Sequence, residues 1–176
     1  RTKADIYVRG DKVELLLNGR NVSNKKLKID CRAVIPVLYE SGTLTAVSYD
    51  KNGNELALTL LTKAGKETML TSLPEDSHIS AEGLAYIRLK YTDSHGIVKP
   101  MTRGRISVKA DGGELIGLGH ACPFNPDGFC GSDTDTYLGE AGAVVKPKGK
   151  GRRNITAVSD KGRAEAKANV EQTRRK

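Results

Sequence analysis

Residues 120 to 130, HACPFNPDGFC, place a histidine, two cysteines, an aspartate and two phenylalanines within eleven positions. A metal cage, a cysteine nucleophile, a disulfide loop and an interaction loop are all conceivable for such a stretch. A structural zinc site needs four soft or imidazole ligands, normally with a Cys-x2-Cys type half-site. Here seven residues separate Cys122 from Cys130, His120 stands beside the first, and no second cluster exists. Asp127, Asp133 and Asp135 supply hard oxygens for calcium, but the EF-hand spacing and its terminal glutamate are missing. His120 and Cys122, two apart on a strand, would share a face, yet no third group orients the imidazole and no helix N-terminus lowers the thiol pKa. The expectation is no metal, no cofactor and no catalytic residue in this loop.

Two structural readings survive. A disulfide between Cys122 and Cys130 would close a small loop held further by Pro123 and Pro126, adding about 2 to 3 kcal/mol in an oxidising compartment. The alternative is a pair of free, half-buried thiols. The chain holds three cysteines, so at least one lacks an intramolecular mate. The compartment stays open, a secreted or periplasmic one being slightly favoured over the cytoplasm. Cys31, between Ile29 and Ala33, reads as a small core hydrophobe, and His78 and His95 read as loop residues. Phe124 and Phe129, in a proline-stiffened setting with His120, mark an interaction loop, since exposed apolar groups prefer a partner to water. Against this stands the reading in which both rings tuck against their own domain.

The elements that must position this loop are strands. ADIYVR, KVELLLNG, LKIDCRAVIPV, TLTAVSYD and ELALTLLT are short runs rich in Val, Leu, Ile, Thr and Tyr, punctuated by Gly, Asn, Asp and Ser. Lys51-Asn52-Gly53-Asn54 carries the Asn-Gly pair that suits a two-residue primed turn. Ala85, Ile87, Leu89 and Tyr91 alternate with Tyr86, Arg88 and Lys90, the period of a strand with one buried face. Ala164, Ala166, Ala168 and Val170 repeat that pattern near the end. GGELIGLG is no nucleotide loop, because the dinucleotide fingerprint needs a third glycine and a following helix. Gly117 and Gly119 instead suit a bulge or a close backbone approach. No segment sustains a helical period, so the fold class is all-β.

LTAVSYDKNGNELAL (44 to 58) and ITAVSDKGRAEAK (155 to 167) share a strand, a glycine-containing turn and a second alternating strand. This echo predicts two tandem immunoglobulin-like β-sandwiches, 1–65 and 66–176, the second with a long loop near 120–136. A unit of about 65 residues hides only about 60% of its unfolded surface, so the first is expected to lean on neighbouring sequence. Because the chain opens on Arg1 in a strand-like stretch, it reads as a piece of a longer protein.

The formal net charge is +8. The basic residues recur on outward positions and in turns, densest at 146–153 and in the tail Arg174, Arg175 and Lys176, the pattern of a solvated surface rather than a nucleic-acid footprint. No run approaches the roughly 18 apolar residues of a membrane span. Sugar or single-strand stacking platforms need exposed aromatic rings. With no Trp and two Phe, both in the opening stretch, such a platform would be small.

KVELLLNGR (12 to 20) and YESGTLTAVSYDKNGNELA (39 to 57) resemble the first accessory sandwich that follows the catalytic barrel in β-galactosidase-like enzymes of glycoside hydrolase family 2. The matching positions are Val13 to Gly19 and Tyr39 to Tyr49. Asp93-Ser94-His95-Gly96 leading to Pro100, then GGELIGLG (112 to 119), GEAGAVVKP (139 to 147) and NITAVSDKG (154 to 162), are similar to the C-terminal Ig-like domain of the same enzymes. The resemblance implies a non-catalytic region supporting the barrel, subunit contacts or the rim of the sugar pocket. Its implied partners are the barrel of the same polypeptide, the carbohydrate substrate of the parent enzyme and a further copy in a homo-oligomer. Where the family often has Asn or Ser after the last glycine of GGELIGLG, this chain has His120-Ala121-Cys122. The catalytic glutamates of the family belong to the barrel, and no position here matches them. A reading from another class is a stand-alone cell-surface adhesion or glycan-binding module.

Overall fold

The computed structural model describes residues 2–28, 31–38, 40, 42–149 and 151–171. Ile29, Tyr39, Lys150 and the basic tail at 174–176 therefore lie outside the described residues. No helix occurs among those described, and the chain separates into two compact units, Arg1–Lys63 and Ala64–Lys176.

The first unit contains β1 (Thr2–Tyr7), β2 (Lys12–Leu17), β3 (Arg20–Lys26), β4 (Arg32–Val37), β5 (Thr43–Tyr49) and β6 (Glu55–Thr62). A four-stranded sheet in the order β3-β2-β5-β6 faces a two-stranded sheet of β1 and β4. Val13, Leu15 and Ala46 from the larger sheet meet Ala33, Ile35 and Val37 of β4, with Ala4 and Ile6 of β1 packed alongside. The smaller sheet has too few strands to cover the larger one, and β6 is exposed along its whole length.

Hairpin chemistry in this unit departs from expectation. The two-residue primed turn is Asn18-Gly19, both with positive φ (52° and 76°), joining the paired Leu17 and Arg20. Asn52-Gly53 is not such a turn. Gly53 alone has positive φ, the Asp50 N–H donates to the Asn54 carbonyl, and the Gly53 N–H donates to the Asp50 carbonyl. The reason is Asp50, whose carboxylate accepts the N–H groups of Asn52 and Asn54, each at 2.8 Å. That side-chain bonding stabilises a three-residue loop with a left-handed glycine in place of the primed turn. Cys31 is also corrected. It is exposed, has φ 52° and precedes β4, so the inward alternation starts at Ala33.

The second unit comprises β7 (Met69–Pro74), β8 (His78–Ser80), β9 (Ala85–Thr92), β10 (Arg105–Asp111), β11 (Gly113–Gly119), β12 (Asp133–Asp135), β13 (Glu140–Pro147), β14 (Gly151–Ser159) and β15 (Gly162–Glu171). One sheet runs β11-β13-β9-β7 and the other β12-β10-β14-β15-β8. His78, expected in a loop, begins β8, which pairs in parallel with β15. Ala85, Ile87, Leu89 and Tyr91 of β9 point into the core, as do Ala166, Ala168 and Val170 of β15. They meet Ile106, Leu118, Ala143, Val145, Ile155 and Ala157. Ala46 of β5 and Ala157 of β14, equivalent in the sequence echo, are both buried.

Asp93 organises the start of this unit. Its carboxylate accepts the Gly65 N–H at 2.7 Å and the His95 and Ile97 N–H groups at 2.9 Å each. These donors, Gly65 foremost, hold it below the usual carboxylate range, against the opposing effect of burial. A folded pKa below the unfolded value of about 3.9 adds stability that is fully present above that value and lost as pH falls through the folded pKa. Asp93→Asn, which keeps the shape but loses the charge, is expected to lower the melting temperature at pH 7 and to flatten its fall below about pH 4. Melting curves across that range check this.

Candidate functional site

The opening stretch folds as a loop between β11 and β12, the edge strands of the two sheets in the second unit. Its geometry begins in β11, where the register shifts between Leu115 and Gly117. The bulge re-aims the strand end so that the Leu118 N–H donates to the Phe129 carbonyl at 2.8 Å. Gly119 carries the Phe129 ring against its backbone, and a Cβ there would overlap ring atoms. Asn125 donates from Nδ2 to the Gly128 carbonyl at 2.7 Å, while the Gly128 N–H returns to the Asn125 carbonyl at 3.2 Å. Arg105 at the start of β10 grips Asp127 with both terminal nitrogens, at 2.6 and 3.1 Å, a fork geometry that fixes orientation as well as position.

Two further segments lie at this end. Tyr137-Leu138-Gly139-Glu140 forms a tight turn closed by N–H to carbonyl bonds of 3.0 and 3.1 Å, with Leu138 and Gly139 both left-handed (51° and 76°). Gly139 presses on the connection between β9 and β10, where a Cβ would come within 2.5 Å of the Lys99 carbonyl. Lys99 is in turn held by Nζ donating to the Lys66 and Glu67 carbonyls and to Thr68. The His120 and Tyr137 rings stand 6.3 Å apart, tilted by 34°, and the Cys122 N–H donates to His120 Nδ1 at 3.2 Å.

The structure therefore joins His120, Phe124 and Phe129 to residues that the sequence reading did not select. Phe124 is 78% exposed, Phe129 56%, Met101 88% and Leu138 56%, with Tyr137 at 40%. Five large apolar side chains thus face solvent from three interlocked segments. Leu138 is the plainest signal. A leucine with left-handed φ carries strain, and its exposure means that burial within this chain does not offset it. The Tyr-Leu-Gly-Glu order could have flagged the turn, but the approach of Lys99 and Pro100, which precede Met101, to Gly139 arises only from tertiary contact.

Cys122 is half-buried, Cys130 is exposed, and both are free thiols. Among the described residues no group of three or more His, Cys, Asp or Glu side chains is placed to hold a metal ion. A half-open depression of about 500 Å³ lies on the outer face of β10 and β14, with Ser107, Lys109, Asp111, Asp133, Thr156 and Arg163 in its lining. Its acids are engaged: Asp111 pairs with Lys109 at 3.3 Å, and Asp133 accepts the hydroxyls of Ser107 and Ser132. Those hydroxyls, Ser107 first, draw Asp133 below the usual carboxylate range, so it stays ionised and does not suit a general acid.

Gly139→Ala forces a Cβ onto a left-handed backbone and against the Lys99 carbonyl. It is expected to destabilise the second unit by about 1 to 3 kcal/mol, measured by urea unfolding against the parent chain.

No curated protein matches this chain. Residues 2–57 match the profile of a domain of unknown function, DUF4982, and residues 70–168 match that of glycoside hydrolase family 2 C-terminal domain 5. A glycosyl hydrolase family 2 member from Bacteroides cellulosilyticus superposes over 97% of this chain with a TM-score of 0.87 and 28% identity, using 23% of its own length. A β-glycosidase from Bacteroides vulgatus superposes over 96% of this chain with a TM-score of 0.85 and 19% identity, using 22% of its length. A family 2 β-glucuronidase superposes over 99% with a TM-score of 0.80 and 18% identity, using 19% of its length. The last two speak to the fold. The chain spans about a quarter or less of the length of these structures. With more than half of its residues matching the C-terminal domain profile, the chain belongs to glycoside hydrolase family 2, as a C-terminal accessory region.

Proposed function

We propose that this region braces the catalytic barrel of a β-galactosidase-like enzyme and lends the loop end of its second unit to the rim of the sugar pocket. The parent enzyme would cleave a terminal β-linked sugar by double displacement between two carboxylates carried by the barrel. The observation that carries this reading is the set of five exposed apolar side chains on three locked segments. Such a surface supports a packing role, because burying it against a partner recovers apolar area while its internal bonds limit the ordering entropy lost. Tyr137 beside His120 supplies a small aromatic surface of the kind that accepts a sugar face. The likeness to a family 2 enzyme over 97% of the chain supports the parent activity.

The experiment replaces Phe124 and Phe129 by Ser in the full-length enzyme and compares aryl β-galactoside with aryl β-glucuronide hydrolysis. Preferred turnover of the galactoside is expected, and the double variant should lose roughly tenfold in kcat/KM, the scale of one or two apolar contacts at a binding site. Unchanged kinetics, assembly and melting would remove the rim role, and preference for the glucuronide would remove the galactosidase reading.

A further inference from the structure

We infer that Asn52 is a site of spontaneous covalent modification, where water converts the carboxamide to aspartate and isoaspartate, and that the fold protects Asn18 from the same reaction. The Gly53 main-chain nitrogen gives up its proton to solvent and attacks Cγ of Asn52. As the new N–Cγ bond forms, the Cγ–Nδ2 bond breaks, and the proton returns through solvent to the departing nitrogen, which leaves as ammonia. One water then opens the cyclic imide at either of its two carbonyl carbons, restoring the N–H and giving aspartate or, with the main chain rerouted through Cγ, isoaspartate. Water is consumed and ammonia released, with no oxidant, reductant or cofactor.

A glycine after the asparagine leaves the attacking nitrogen uncrowded. The chain has two Asn-Gly pairs, 18–19 and 52–53, and at both glycines the space a Cβ would take is empty. The nucleophile is therefore equally open at each, and the asparagines make the difference.

Asn18 is fastened at two points to the start of β5. Its N–H donates to the Thr43 carbonyl at 2.9 Å, and its Oδ1 accepts the Thr43 N–H at 2.9 Å. A Cβ on Gly42 would overlap the Asn18 carboxamide, so this side chain also lies against bare backbone. Swinging Cγ round to the Gly19 nitrogen breaks the Oδ1 bond and strips the Thr43 N–H of its acceptor, a cost the reaction must meet first.

Asn52 is exposed, and its carboxamide has no hydrogen-bond partner among the described residues. Only its main-chain N–H is held, by the Asp50 carboxylate at 2.8 Å, which leaves the side chain free to rotate. Attack is opposed by one longer bond, from the Gly53 N–H to the Asp50 carbonyl at 3.1 Å. That bond lies in a loop open to water, where exchanging a carbonyl for solvent costs little. The product differs physically from the parent. A carboxylate replaces a neutral amide two residues from the Asp50 carboxylate, and the isoaspartyl form lengthens the main chain by one methylene in the loop that joins β5 to β6.

The test incubates the full-length polypeptide at mildly alkaline pH, folded and in parallel unfolded in guanidinium chloride, until the unfolded control has converted at both sites. Peptides carrying Asn18 and Asn52 are followed by mass spectrometry with electron-transfer fragmentation, which separates isoaspartate from aspartate. In the folded protein Asn52 is expected to convert about tenfold faster than Asn18, the rate ratio set by a held side chain. The two rates should converge in guanidinium chloride, and Asn52→Gln, whose ring closure is slower, should silence its own peptide and leave Asn18 unchanged. Equal rates in the folded state, faster conversion at Asn18, or no conversion at folded Asn52 would overturn the inference. A difference that persists in guanidinium chloride would trace it to neighbouring sequence and overturn protection by the fold.

Discussion

The second unit depends on one constraint: each core strand has a single apolar face, and only closing two sheets over one another removes both sets of faces from water. Ile87, Leu89 and Tyr91 from one sheet and Ile106, Ile155 and Ala157 from the other fill that layer and are almost wholly buried. A layer so filled leaves chemistry to the loops, the outer faces and the edges. Two of the acids there are committed to structure, Asp93 to backbone N–H groups and Asp127 to the Arg105 fork. A retaining glycosidase instead needs two facing carboxyl groups, one of them protonated at working pH.

The first unit meets the same constraint incompletely. Val13 and Leu15 find partners in Ala33 and Ile35, but its two-stranded sheet ends before the larger one does. The uncovered part of that sheet is β6, rich in leucine and exposed throughout. Small sandwiches have little interior to spare, and this one leaves a face open. The loop end of the second unit presents a different surface, compact and tied down by side-chain and backbone bonds, with apolar groups aimed outward.

Legibility in the sequence followed the range of the responsible interactions. The β9 and β15 alternations were readable because period two is local, and the structure buries the faces they select. So was the meaning of Gly117 and Gly119, which mark a bulge and a close approach. Cys31 departs from the expected core position because its positive φ breaks the alternation just before β4. Asn52-Gly53 departs from the expected turn because the Asp50 carboxylate competes for the turn N–H groups, and Asn18-Gly19 forms the primed turn of this unit. Of the candidate site, Phe124 and Phe129 were visible as apolar residues in a loop. Met101 and Leu138 were not, because the strand pairing and the bare backbone of Gly139 bring their segments together across the unit. ELALTLLT reads as a strand and forms β6, but its exposure along the whole length is visible only in the structure.

The central claim is that these residues carry no glycoside-cleaving machinery of their own. The direct measurement is hydrolysis of aryl β-galactosides by purified, folded chain 1–176 across the acid-to-neutral pH range, beside the full-length enzyme. The account predicts a rate equal to buffer for the chain and turnover for the full-length enzyme. Sustained turnover that stays with the folded chain through purification would contradict it.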